Sequence, residues 1–112
     1  MLLQILKLIM ALATAGIGIY ALIRPKSIYE FTGIKATGPR GITEIRAIFG
    51  ALFIALGIST IFYHSYILLG ISYLSIAVVR AVAMYLIDKS SSESSNLISL
   101  VSEIVMGIIL II

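Results

Sequence analysis

The chain has 112 residues, 61% of them hydrophobic and only 12% charged, with a mean hydropathy of +1.17. So few charges cannot form the polar shell of a soluble domain, which excludes that class. Cysteine is absent, so disulfides, thiolate metal sites and cysteine catalysis are excluded, and the formal charge of +3 lies largely in one loop, which argues against a nucleic-acid binder.

Apolar runs of about 18 or more residues match the roughly 30 Å hydrocarbon core of a bilayer. The pattern predicts an all-α integral membrane protein, a single-domain four-helix bundle of antiparallel up-down spans. Span one covers residues 2–23. Ala11-Leu12-Ala13 and Ala13-Thr14-Ala15 resemble signal-peptide cleavage sites. Against cleavage, Lys7 falls inside the apolar run and hydrophobicity continues to Ile23. Lys7 is expected to snorkel toward one membrane face, and Gly16 and Gly18 to admit a close helix.

Arg24-Pro25 ends the span, since proline disfavours helix in the residue before it. Residues 24–41 form the main loop, in which Ser27 to Phe31 are expected to make a short interfacial helix. Ile28 and Phe31 would face lipid and Glu30 water. Gly33, Gly38, Pro39 and Gly41 then interrupt the chain. Span two covers residues 42–62, with Thr43 as the expected N-cap and Glu44 and Arg46 in the first turn. Gly50, Ala51 and Gly57, with Ala47 and Ala55, keep this helix thin for packing.

Tyr63-His64-Ser65 reads as a tight turn between interfacial aromatics. His64, the only histidine, has no carboxylate neighbour in it and is assigned no role. Span three covers residues 66–87 and contains Arg80. A serine-rich polar loop, residues 88–95, leads to span four over residues 96–112, which gains a turn if Ser94 and Ser95 join it. Arg24, Lys26, Lys35 and Arg40 lie in the first loop and Lys89 in the third, against Lys7 on the other side. The positive-inside rule therefore places loops 24–41 and 88–95 in the cytoplasm and both termini outside the cell membrane. Anionic lipid headgroups are the expected partners of the first loop.

An ionisable group inside a span costs roughly 2.5–3.5 kcal/mol on insertion scales, so it must pair or line a wet cavity. Counted from the loop ends, Glu44 lies about 5 Å into its helix, Arg46 about 7 Å, Arg80 about 12 Å and Glu103 about 10 Å. The common depth predicts one polar cluster in the cytoplasmic half of the bundle. Glu44 and Arg46 point to different sides of their helix. Either Arg46 or Arg80 is then expected to meet Glu103, and Glu44 the remaining arginine. Tyr73, Tyr85 and Ser102 are auxiliary candidates for leftover donors and acceptors. Two readings stay open: a fold-specifying ion-pair network, or a site in which arginines bind an anion or a carboxylate carries a proton.

The stretch Glu44-Ile45-Arg46-Ala47-Ile48-Phe49-Gly50, with Pro25, Gly33-Ile34, Arg80 and Glu103, resembles an uncharacterised family of small bacterial and archaeal four-span proteins, domain of unknown function 4345. Ala51 stands where that family's pattern leads one to expect a second glycine. The resemblance implies a four-helix membrane fold and no established activity.

Three functions compete. One is a small transporter or ligand-binding membrane protein that uses the Arg/Glu cluster on a small ligand such as an anion. The second is a structural or accessory subunit packed through its glycine and alanine faces. A lipid-acting enzyme has the least support: the sequence offers no nucleophile–base pair, metal cluster or phosphate-cradling glycine loop. The small multidrug transporters and fluoride channels are similarly short, but span one has no carboxylate and no fluoride-channel-like motif occurs. No cofactor or metal is expected. So small a bundle has little interior, which predicts a homo-oligomer, a dimer first.

Overall fold

The computed structural model describes residues 1–89 and 92–112. Ser90 and Ser91 of the serine-rich loop, and the expected lipid-facing side chain of Phe31, lie outside the described residues. Every regular element among the described residues is helical. They are α1 (Leu2–Ile23), a 3-10 turn (Pro25–Ser27), α2 (Ile28–Thr32), α3 (Pro39–Phe62), α4 (Ile67–Ile87) and α5 (Ser94–Ile111). The four long helices, α1, α3, α4 and α5, are long and apolar enough to cross a membrane.

Helix α3 begins at Pro39, ahead of the expected Ile42. Proline at the first helical position has its φ preset and gives up only an amide that would be orphaned anyway. Gly38, in an extended conformation, is the N-cap. Thr43 is therefore not a cap; it sits inside the helix, and its hydroxyl donates to the Pro39 carbonyl at 3.2 Å. Helix α5 starts at Ser94, so both serines before Asn96 join it. Helix α2 ends at Gly33, whose φ of 77° lies in the left-handed region and whose N–H bonds to the Tyr29 carbonyl.

The chain divides into two compact units, residues 8–64 and residues 1–7 with 65–112. In the first, α1 and α3 touch backbone to backbone. A Cβ built on Gly18 would lie 2.6 Å from the Gly50 carbonyl oxygen and 2.7 Å from the Ile54 nitrogen. One on Gly57 would lie 2.6 Å from the Ala11 carbonyl oxygen. Contacts thus run in opposite sequence order along the two helices, and only glycine fits at these crossings. Gly16 has nothing within 4 Å of its Cβ position, so it does not join Gly18 in admitting a neighbour. Ala51 is exposed, as are Ala47 and Ala55, so the expected thin face narrows to Gly50 and Gly57.

Residues Ile45–Leu52 of α3 are π-helical, and the reason lies in that face. Ile45 packs with Ala21 and Ile28, with Tyr29, Ala36 and Phe49 around them, while Gly50 lies against Leu22 and Gly18. In a regular α-helix residues five apart point about 140° apart. Bonds from i to i+5 bring Ile45 and Gly50 back to one side. Ile28 is accordingly buried at 2% exposure rather than facing outward, because α2 folds it under Ala21 and Ile45. Glu30 is exposed.

In the second unit α4 packs along α5. Gly70 lies against Gly107, whose carbonyl oxygen would be 3.0 Å from a Cβ on Gly70, and Leu74 also lies against Gly107. Leu69, Ala77, Met84 and Leu110 are buried. The last turn of α4, Ala83–Ile87, is again π-helical and closes with the Asp88 N–H on the Ala83 carbonyl. Lys7 is buried, with its ammonium 5.8 Å from the centre of the Tyr66 ring.

Candidate functional site

Two polar constellations stand out, one in each unit. In the second unit Arg80 leaves α4 toward α5 and meets Glu103 through two parallel bonds. Nε donates to Oε1 at 2.7 Å and Nη2 to Oε2 at 2.9 Å, while Nη1 donates to Asn96 Oδ1 at 3.2 Å. Asn96 lies seven residues before Glu103, about two helical turns, so both side chains share one face of α5. The Arg80 side chain is 31% exposed and that of Glu103 is 13%. This is the bidentate geometry in which a planar fork matches a carboxylate. It leaves the pair neutral and its orientation fixed. An open cavity of 560 Å³ borders it, lined among others by Arg80, Asn96, Asp88, Ser75 and Met84.

Asn96 is the member that local reading misses, because it stands at the very start of the expected span four. Its seven-residue spacing from Glu103 was the available signal. Tyr85 and Ser102 are exposed and, among the described residues, make no bond to the pair; Tyr73 is half-buried on α4.

Glu44 and Arg46 belong to the other unit. Both are exposed there and, among the described residues, neither makes a hydrogen bond or ion pair within it. Of the four expected cluster residues, the structure thus brings Arg80 and Glu103 together in one unit, with Glu44 and Arg46 two residues apart on α3 in the other. Gly50 and Gly57 serve the α1 contact as helix-packing residues.

Arg46 lines an open pocket of 670 Å³ between the loop and the start of α3. Lys26 and Lys35 line it too, with Tyr29, Thr37 and Gly38, and no carboxylate is among its lining residues. The helix's own ladder begins with the Ile42 N–H on the Gly38 carbonyl, so the Arg40 and Gly41 amides sit at an open first turn. Gly38 has no side chain to cap them.

The charge distribution accents this pocket. Residues 24–46 hold five cations (Arg24, Lys26, Lys35, Arg40, Arg46) against two carboxylates (Glu30, Glu44). The rest of the chain holds three of each, so the whole net charge of +3 resides in that segment. Lys26 and Lys35 were legible as loop charges drawn to headgroups, but not as walls of one cavity. No family model, curated protein or solved structure matches the chain.

Proposed function

We propose that this chain is a multi-pass integral membrane protein that binds or carries a small anionic ligand. In this reading α1, α3, α4 and α5 form an antiparallel four-helix bundle, with both termini outside and loops 24–41 and 88–95 in the cytoplasm. Four helices of spanning length support insertion, and the loop cations support the orientation. The resemblance carried by the Glu44–Gly50 stretch fits the same architecture.

The observation that carries the ligand reading is the pocket that Lys26, Lys35 and Arg46 line without a carboxylate. Arg80 is already neutralised by Glu103, so it is the weaker anion ligand of the two arginines. Cations left without counter-charge near a low-dielectric layer attract one from solution or from the membrane. The test is thermal unfolding in neutral detergent, at fixed ionic strength, across chloride, acetate, succinate and phosphate. At least one anion should raise the melting temperature of the wild type and not of a Lys26→Gln/Lys35→Gln/Arg46→Gln variant. Identical curves for the two proteins in every anion would end the reading.

A second reading, an accessory subunit whose charges only specify the fold, is favoured by the bidentate Arg80–Glu103 pair. A homodimer belongs to either reading, since α5 buries the smallest share of itself among the four long helices. A monomer mass from sedimentation in mild detergent would remove the dimer.

A further inference from the structure

We propose, building on the reading that this pocket takes an anion, that its ligand presents a phosphomonoester group. Lys26, Lys35 and Arg46 would hold that group over the open first turn of α3.

Charge selects the class. A halide or monocarboxylate brings one negative charge to three cations and leaves most of them uncompensated. A phosphomonoester brings about 1.5 to 2 charges and three strong acceptor oxygens near neutral pH. Glu30 and Glu44 in the same segment offset part of the remainder, so a more highly charged ligand is not required. Donor geometry selects it again. Arg46 offers the planar fork that grips two phosphate oxygens, and the two lysines add mobile point charges.

The backbone contributes a third element. Helix α3 is 24 residues long, and its N-cap Gly38 and first residue Pro39 line the cavity, which puts the positive end of the helix dipole there. An acidic or hydroxyl cap would have occupied that position; glycine leaves it clear. Thr43 also lines the pocket but commits its hydrogen to the Pro39 carbonyl, so it donates nothing to an anion. Thr37 and Tyr29 are the hydroxyl donors that remain.

Size leaves room for the phosphate to be attached to a larger body. The pocket is open to solvent, and its 670 Å³ exceeds what one phosphate fills. Ala36, Pro39 and Ile42 supply apolar wall for the ester-linked body. A soluble phosphate ester and the headgroup of phosphatidic acid share this chemistry.

The experiment separates both sources from the parent reading. Calorimetric titration in neutral detergent uses glycerol phosphate, acetate and succinate. In parallel, native mass spectrometry counts lipid retained from nanodiscs of phosphatidylcholine doped with phosphatidic acid. Retention of either phosphomonoester should weaken about tenfold or more in each of Lys26→Gln, Lys35→Gln and Arg46→Gln. Arg40→Gln, which removes a cation of the same segment outside the pocket, should stay within about twofold and reports folding and bulk charge together. Glycerol phosphate binding identifies a soluble ligand, and phosphatidic acid retention alone identifies a lipid. Binding of acetate or succinate without either phosphomonoester overturns the phosphate class and leaves the anion reading standing. Binding of no anion overturns both, and an equal loss in Arg40→Gln overturns the pocket.

Discussion

Removing the Glu103 carboxylate tests whether the α4–α5 pair is a strut. Glu103→Gln takes the charge from a guanidinium that it grips at 2.7 and 2.9 Å. Two unit charges about 4 Å apart attract by about 4 kcal/mol at an effective dielectric of 20. Lost hydration and side-chain ordering offset much of that, and Arg80, at 31% exposure, is partly screened. Coupling between polar side chains on membrane helices reaches about 1.7 kcal/mol in measured cycles. Weighing these, Glu103→Gln and Arg80→Gln should each cost about 2 kcal/mol, because each strands a charge. The double variant should cost only about 2–2.5 kcal/mol, a coupling of about 1.5–2 kcal/mol. Reversible unfolding by sodium dodecyl sulfate in mixed micelles measures all four corners of the cycle. Additive losses would refute the claim that this pair ties α4 to α5.

Gly57→Ala should destabilise by about 2–3 kcal/mol, since its Cβ would meet the Ala11 and Ala15 backbone of α1 and not a yielding side chain. Gly16→Ala, with open space at the same atom, should stabilise by about 0.8–1 kcal/mol through helix propensity. Equal effects in the same detergent titration would contradict the close approach. The chain contains no cysteine, so single reporters can be placed at will. Ile34→Cys and Ser92→Cys should react with an impermeant maleimide from the cytoplasmic side and His64→Cys from the opposite side. Reaction of Ile34→Cys and His64→Cys from one side would eliminate the four-span topology.

The helices were legible because apolar runs of spanning length leave little alternative, and the Arg80–Glu103 pairing was legible as one of two options from matching depth along the spans. Their details were not. Between Gly38 and Gly41, Pro39 reads locally as a breaker, whereas a proline with a free first-turn position starts a helix. Ile28 is lipid-facing by the pattern of α2 alone; its burial depends on Ala21 and Ile45, which no local pattern connects to it. Asn96 was hidden by a boundary placed at its own position. The pocket of Lys26, Lys35 and Arg46 needs the loop's path, and charge counting alone marks only the segment that contains it.

The π-helical stretch of α3 has an implication for length variation. Between Ile45 and Gly50 the helix carries one residue more than ordinary winding needs. Deleting the exposed Ala47 would leave those two residues four apart, about 40° from alignment in a regular α-helix. Both would keep facing α1, so α3 can absorb a shortening at this place. Helix α1 has no such slack. Deleting Gly16, whose Cβ position is open, would turn Ala11 and Ala15 about 100° away from Gly18 and Leu22. One of the two glycine crossings would then be lost. At Gly16, then, the identity of the residue is free and its presence obligatory.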